Sequence, residues 1–222
     1  MRNTRGQYLK IKRGVDVIAS LAGLLFLIPV LVLTAIFIKF TSSGPILFKQ
    51  ERIGLNGKTF RILKFRTMVV NAEKIGKQIT VNGDPRITKV GKFLRKFKLD
   101  ELPQLYNVLK GEMSLVGPRP EVKKYIEMYS EEQRRVLTVR PGITDYASIE
   151  YRNENDILAL SNNPEHTYIT KVMPEKLVLN LRYIEEISLL TDLKLIFLTL
   201  LKIVMDTGTD DVRKDQSSSL GV

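Results

Sequence analysis

The chain has 222 residues, is 44% hydrophobic, contains no cysteine and carries a formal net charge of +11, enough for one globular domain and a membrane element but not for two full domains. Without cysteine there are no disulfides, thiolate metal sites or thiol nucleophiles. The single histidine, His166, lies in a polar stretch and leaves no His-based triad or multi-histidine metal centre, so any acid, base or nucleophile is expected among carboxylates, Lys, Tyr, Ser and Thr.

Residues 17–38 form a run of 22 without a charge, long enough to cross a bilayer as a helix. A buried core helix is the bland alternative, but the run is apolar on every face. It also exceeds the hydrophobic stretch of a cleavable signal peptide and no A-x-A site follows it. Basic residues flank it on both sides: Arg2, Arg5, Lys10, Lys12 and Arg13 before, Lys39, Lys49, Arg52, Lys58, Arg61, Lys64 and Arg66 after. Both flanks are therefore expected on the cytoplasmic side. A straight span cannot satisfy that, whereas a re-entrant helix that bends near Pro29 and returns through the same leaflet can. Proline is also tolerated in ordinary transmembrane helices, so the residues alone leave both topologies open.

Two β-rich stretches, 46–53 and 58–68, flank Gly54-Leu55-Asn56-Gly57, and the Asn-Gly pair predicts a basic β-hairpin. Residues 71–91 are polar and read as a loop or short helices. Residues 100–109 read as one helix capped by Asp100, with Pro103 in its first turn and Gly111 at its end. Two further helices are expected at 120–128 and 130–137, the second opened by a Ser130-Glu-Glu-Gln133 capping box. Arg140-Pro141-Gly142 begins a loop region that runs to about Pro174, and a helix follows to about Ile187. Over 191–205, Leu193, Ile196, Phe197, Leu200, Leu201 and Val204 recur at helical spacing. Core packing is the commoner reason for such a stripe; interfacial membrane contact is the sharper one, with Lys194 and Lys202 alongside. The tail, 207–222, is polar and Ser-rich and is expected to lack structure.

The basic excess is local. Residues 39–98 hold fifteen Lys/Arg against three acids, and residues 99–222 hold fifteen against twenty. Such a field suits anionic lipid headgroups, phosphates or nucleic acid, although a solvated basic face gives the same count. The acidic pair Asp100-Glu101 follows directly on Arg95-Lys96-Phe97-Lys98. Neighbours on a helix diverge by about 100°, so the two carboxylates could serve one phosphate differently; equally, Asp100 could cap a helix and Glu101 complement its dipole. Arg86, Arg95, Lys96, Arg119 and Arg140 could add charge-assisted contacts to a diphosphate. In Gly117-Pro118-Arg119-Pro120 both prolines fix φ, so Arg119 is held at little further entropic cost. There is no Walker A, Rossmann or zinc spacing.

Taken in order, Lys12-Arg13-Gly14-Val15-Asp16, Lys64-Phe65-Arg66-Thr67-Met68, Asp84-Pro85-Arg86-Ile87-Thr88, Leu99-Asp100-Glu101-Leu102-Pro103-Gln104, Met113-Ser114-Leu115-Val116-Gly117-Pro118-Arg119-Pro120, Arg140-Pro141-Gly142-Ile143-Thr144 and Asp192-Leu193-Lys194 resemble the bacterial sugar transferases known as small monotopic phosphoglycosyl transferases. The resemblance covers nearly everything from Lys12 to about Met205. It implies an α+β, mainly helical fold: a re-entrant helix within 1–40, a catalytic domain over 41–206 and amphipathic helices at the membrane interface. It further implies catalytic Asp100 and Glu101, which also hold Mg²⁺, and substrate contacts from Arg66, Arg86, Arg95, Pro118, Arg119, Pro120 and Arg140. The implied partners are a UDP-sugar, polyprenol (undecaprenyl) phosphate and membrane lipids, not nucleic acid, with a homo-oligomer as an open option. The implied place is the cytoplasmic face of a bacterial inner membrane.

Many relatives continue after Gly-Ile-Thr with Gly-Trp-Ala-Gln, where this chain has Asp145-Tyr146-Ala147-Ser148, which bears on sugar or nucleotide contacts there. Larger relatives carry extra spans and a domain before this unit, so the expectation is the minimal version. Two rivals share the residues: direct attack of the lipid phosphate in a ternary complex, and a non-enzymatic tethered binder of anionic lipid or nucleic acid. The second lacks the interleaved aromatics that stacked bases need.

Overall fold

The computed structural model describes the backbone of residues 2–75 and 79–219, and the side chains of these except at 2–5, 73, 74 and 206–219. The side chains of Arg2 and Arg5 and those of the tail therefore lie outside the described residues.

The first helix, α1 (Arg2–Thr41), runs unbroken through Pro29. Its buried or half-buried residues include Lys12, Asp16, Ser20, Leu24, Leu27, Leu31, Thr34 and Ile38, steps of three and four that mark one face of a helix. That face lies on the rest of the protein from end to end. Lys12 pairs with Asp192, the Asp16 carboxylate accepts Leu115 N–H at 3.1 Å, Leu105 sits against Gly23, and Ile38 packs with Phe65 and Leu94. The remaining faces are apolar and exposed, with Phe26 and Phe40 each 85% accessible. This is a helix long and apolar enough to cross a membrane.

The predicted hairpin forms from β1 (Leu47–Ile53) and β2 (Thr59–Phe65), antiparallel with Gln50 opposite Ile62. Asn56 and Gly57 take the positive φ values, 54° and 74°, that the sequence pair supplies cheaply. A short helix α2 (Ala72–Ile75) follows. Next comes α3 (Lys89–Lys96), which begins inside the stretch 71–91 expected as a loop or short helices and runs past it; Thr88 caps it by accepting Gly91 N–H at 2.9 Å.

The single helix expected over 100–109 is split into a 3₁₀ turn, Leu99–Glu101, and α4 (Gln104–Lys110). Pro103 has no N–H to give to the preceding turn, and the junction is closed by i→i+3 bonds such as Leu105 N–H to Leu102 O at 3.1 Å. Gly111, at φ 88°, ends α4 as expected. The last carbonyls of α4 are capped from a distance: Arg13 donates to Val108 O at 2.6 Å and Leu109 O at 2.9 Å.

Strand β3 (Ser114–Val116) pairs in parallel with β4 (Gly142–Thr144). Between them lie α5 (Lys123–Ile126) and a 3₁₀ segment, Gln133–Thr138, shorter than the two helices expected. The capping box is present in both directions, Ser130 N–H to Gln133 Oε1 at 2.9 Å and Gln133 N–H to Ser130 Oγ at 3.2 Å.

The stretch expected as a loop up to Pro174 is mostly helical. It contains α6 (Tyr146–Glu150), α7 (Glu154–Ala159), α8 (Pro164–Thr167) and a π-helical turn, Tyr168–Val172, which leads into α9 (Met173–Glu186). These pack Val116, Tyr125, Leu158, Val172, Leu177, Tyr183 and Leu195 into the main core.

Helix α10 (Leu189–Ser219) extends through most of the stretch expected to lack structure, since adding residues to an existing helix is far easier than starting one. Most of its apolar stripe does not form core. Leu195 and Asp192 are buried and Ile196 packs on the core, whereas Leu193, Phe197, Leu200, Leu201 and Val204 are exposed. The fold is thus α+β and mainly helical, with two small sheets among the described residues.

Candidate functional site

Three segments meet at the acidic pair: the end of β2, the turn Leu99–Glu101, and the Gly117–Pro120 turn that leaves β3. Helix α3 ends where Lys98 takes a left-handed φ of 56°, a conformation that costs a non-glycine residue about 1–2 kcal/mol. The reversal turns both following carboxylates inward, leaving Asp100 7% and Glu101 8% exposed.

The two carboxylates are then treated differently. Glu101 accepts Lys64 Nζ at 2.8 Å and both terminal nitrogens of Arg119, one as a close contact and the other at 3.4 Å. Burial pushes its carboxyl up, but Arg119, Lys64 and Lys98 outweigh that and hold it well below the usual carboxylate range. Asp100 is raised instead, first by burial and then by the Glu101 charge, with Lys64, Lys98 and Arg95 only partly opposing. Its Oδ1 is buried and has no hydrogen-bond partner among the described residues, and the N-cap position of the turn it occupies falls to Lys98, which makes no side-chain cap bond. The helix-capping reading of Asp100 is therefore not what the fold uses.

Burial lowers the Lys64 ammonium, against the pull of Glu101. Burial also lowers Arg95, while Asp100 acts to raise it; Arg95 Nε donates to Thr67 Oγ1 at 2.9 Å.

The Pro118-Arg119-Pro120 turn is fixed by backbone as well as by its prolines. Gly117 N–H reaches Thr144 O at 3.0 Å and Gly142 N–H reaches Pro118 O at 3.0 Å. The chains cross so closely that a Cβ on Gly117 would lie 2.4 Å from Arg140 O, and one on Gly142 would lie 2.1 Å from Gly117 N. Glycine is needed at both. Arg119 N–H donates to Asp145 Oδ2 at 3.1 Å, and the Glu101 charge raises its guanidinium further still.

Of the residues singled out from sequence, the structure gathers Asp100, Glu101, Arg95 and Arg119, with Pro118 and Pro120 bracketing the last. The other three arginines bond elsewhere. Arg66 donates to Ser42 O at 2.8 Å and Ser43 O at 2.7 Å, tying β2 to the end of α1. Arg86 grips Asp84 at 2.6 Å and Ala72 O at 3.0 Å. Arg140 donates to Gly111 O at 2.9 Å.

Lys64 was missed as a site residue. The signal was available, because Phe60, Ile62 and Lys64 alternate on one face of β2 and the first two are buried; a lysine facing inward needs a partner. In the sequence Asp145 stands out only as a departure from the family pattern.

The acidic pair has acceptor capacity left over that a divalent cation could use. Mg²⁺ is usually held by one or two carboxylates, with phosphate oxygens and waters completing its shell. Asp100 Oδ1 has no hydrogen-bond partner among the described residues, and the long bond to Glu101 Oε2 leaves acceptor capacity on that oxygen.

Residues 7–206 match the family described as bacterial sugar transferase. The chain is 37% identical over 204 residues to the UDP-N-acetylgalactosamine-undecaprenyl-phosphate N-acetylgalactosaminephosphotransferase of Aeromonas hydrophila, covering 90% of this chain and 45% of that protein. It is 41% identical over 197 residues to the UDP-glucose:undecaprenyl-phosphate glucose-1-phosphate transferase of Escherichia coli K12, covering 86% and 40%. To the exopolysaccharide production protein ExoY of Sinorhizobium fredii it is 35% identical over 213 residues, covering 89% and 87%. The chain thus spans less than half the length of the first two relatives and most of the third. With its acidic pair, its Pro-Arg-Pro turn and nearly all of its length inside the match, this chain belongs to the bacterial sugar transferase family.

Proposed function

We propose that the chain transfers a sugar-1-phosphate from a UDP-sugar to a polyprenol phosphate, undecaprenyl phosphate being the lipid in its relatives' names. The observation that carries this reading is the unequal pair: Glu101 neutralised by Lys64 and Arg119, and beside it Asp100 with a buried oxygen that has no hydrogen-bond partner among the described residues.

Asp100 Oδ1 attacks the β-phosphorus of the UDP-sugar. The bond from that phosphorus to the oxygen bridging to the α-phosphate breaks, and UMP leaves with the electron pair. A phosphosugar remains on the carboxylate. A phosphate oxygen of the polyprenol phosphate then attacks the same phosphorus, the Asp100 O–P bond breaks, and the carboxylate is restored. A carboxylate needs no base to act as nucleophile once ionised; its obstacle is repulsion from the diphosphate. Arg119, Arg95 and Lys64 are the side chains that offset it. Asp100 and Glu101 would hold Mg²⁺, which supplies further neutralisation of the diphosphate when bound.

The reading also places the protein at the cytoplasmic face of a bacterial inner membrane, monotopic, with α1 re-entrant. Support comes from the contacts of α1: Lys12 toward one end pairs with Asp192 and Ile38 toward the other packs with Phe65 and Leu94, so both flanks of the apolar run touch the rest of the protein, as a re-entrant element requires. The exposed apolar face of α10 is assigned to the lipid interface.

The test is UMP release by the detergent-solubilised chain from a panel of UDP-sugars. Sustained UMP formation that depends on polyprenol phosphate is expected with one or a few donors. Absence of UMP from every donor in the presence of lipid acceptor and Mg²⁺ would reject the reading.

A further inference from the structure

Asp145 is fully buried, at 0% exposure, between the start of α6 and the Pro118-Arg119-Pro120 turn. One carboxylate oxygen, Oδ1, accepts Ser148 N–H at 2.6 Å and so caps α6. The other, Oδ2, accepts Arg119 N–H at 3.1 Å. Capping alone does not call for this residue, because Ser, Thr and Asn cap a helix about as well without a charge, and an ionised carboxylate removed from water is costly. What a carboxylate adds is a second oxygen that only accepts. An Asn side chain holding Ser148 N–H through its oxygen would turn an NH₂ group toward the Arg119 N–H, donor against donor.

The surrounding bonds show what that second oxygen completes. Gly117 N–H and Gly142 N–H already fix the backbone on the β3 side of the turn; Asp145 fixes Arg119 itself, whose guanidinium then reaches Glu101. The chain of contacts runs Ser148, Asp145, Arg119, Glu101, and ends on the neighbour of Asp100.

We infer that Asp145 is a positioning residue for the transfer reaction: by holding the Arg119 backbone it aims the guanidinium at Glu101 and at the diphosphate of the nucleotide sugar. This rests on the proposed role of Arg119 in binding that diphosphate. The Asp145 charge also contributes to the field that raises Arg119, in the same direction as the geometry.

A double-mutant cycle tests it, using the full chain in detergent, with UMP release followed at varied UDP-sugar and fixed polyprenol phosphate. Enzyme is raised until the Arg119→Ala rate is measurable. Asp145→Asn should lower kcat/KM about 10- to 100-fold, the scale of a misplaced positioning group, with the melting temperature little changed. Asp145→Ser, which keeps the cap, should do the same. In the Arg119→Ala background, Asp145→Asn should cost no more than about 2-fold, because its route of action is already gone. Equal losses in the two backgrounds, wild-type kinetics for Asp145→Asn, or unfolding of both Asp145 variants would each overturn the inference and make Asp145 a structural cap. Near-normal activity of Arg119→Ala alone would be distinct from these: it would remove the Arg119 reading, and the inference with it.

Discussion

The acidic pair shows how two adjacent carboxylates acquire different chemistry from their neighbours. Asp100 titrates above its ordinary value of 3.8, because burial and the Glu101 charge disfavour its anion. The folded state therefore binds that proton more tightly than the unfolded chain does. The associated stability is present below pH 3.8 and is lost as pH rises through the folded value. At neutral pH the ionised Asp100 costs stability. Asp100→Asn should abolish turnover while leaving the melting temperature equal or higher, read by UMP release and thermal unfolding on one preparation. A clear fall in melting temperature would mean that the carboxylate is structural. Glu101 has the opposite sign. Its depressed carboxyl contributes stability above its ordinary 4.5, lost as pH falls through the folded value. Glu101→Gln leaves Lys64 and Arg119 without their counter-charge, and should destabilise by about 2–3 kcal/mol after allowance for the partial exposure of those cations.

At the level of elements, the site depends on crossings that tolerate no extra atom. A Cβ on Gly142 would meet the Gly117 backbone at 2.1 Å, and backbone cannot swing aside as a flexible side chain can. Gly142→Ala should therefore part β3 from β4, release the Pro118-Arg119-Pro120 turn and cost both stability and activity; wild-type unfolding and kinetics would show that the crossing has slack. Elements with a local cause were legible in the sequence. Asn56-Gly57 set the hairpin turn, Ser130 and Gln133 the capping box, and Gly111 the end of α4. Strands β3 and β4 were not, because each is three residues long and they pair across the intervening α5 segment, leaving no period to read. Helix α3 was hidden for a related reason: only Gly91 and Leu94 of its eight residues are buried. The acidic pair and Arg119 were legible from their setting. The tethering of Arg66 to the end of α1 and of Arg140 to the end of α4 was not, since a buried arginine that satisfies distant carbonyls has the same composition as one that awaits a phosphate.

Across the whole molecule, an apolar helix lies along a basic domain and presents its uncovered faces outward. The native chain lacks cysteine, so single cysteines report without background. Gln7→Cys and Ser43→Cys, at exposed positions on either side of the apolar run, should both react with a membrane-impermeant thiol reagent only from the cytoplasmic side. Reaction of either from outside would replace the re-entrant topology by a span. The reaction itself is tested most directly by mass. Solubilised full-length protein is given a UDP-sugar that it accepts, with Mg²⁺ and no polyprenol phosphate, then digested. The account predicts a burst of UMP no larger than the enzyme concentration, and a peptide containing Asp100 heavier by one phosphosugar, absent in Asp100→Asn and lost on adding the lipid acceptor. Acceptor-dependent UMP release by the wild type with no such adduct, or retained turnover in Asp100→Asn, would contradict it and leave direct attack by the lipid phosphate as the mechanism.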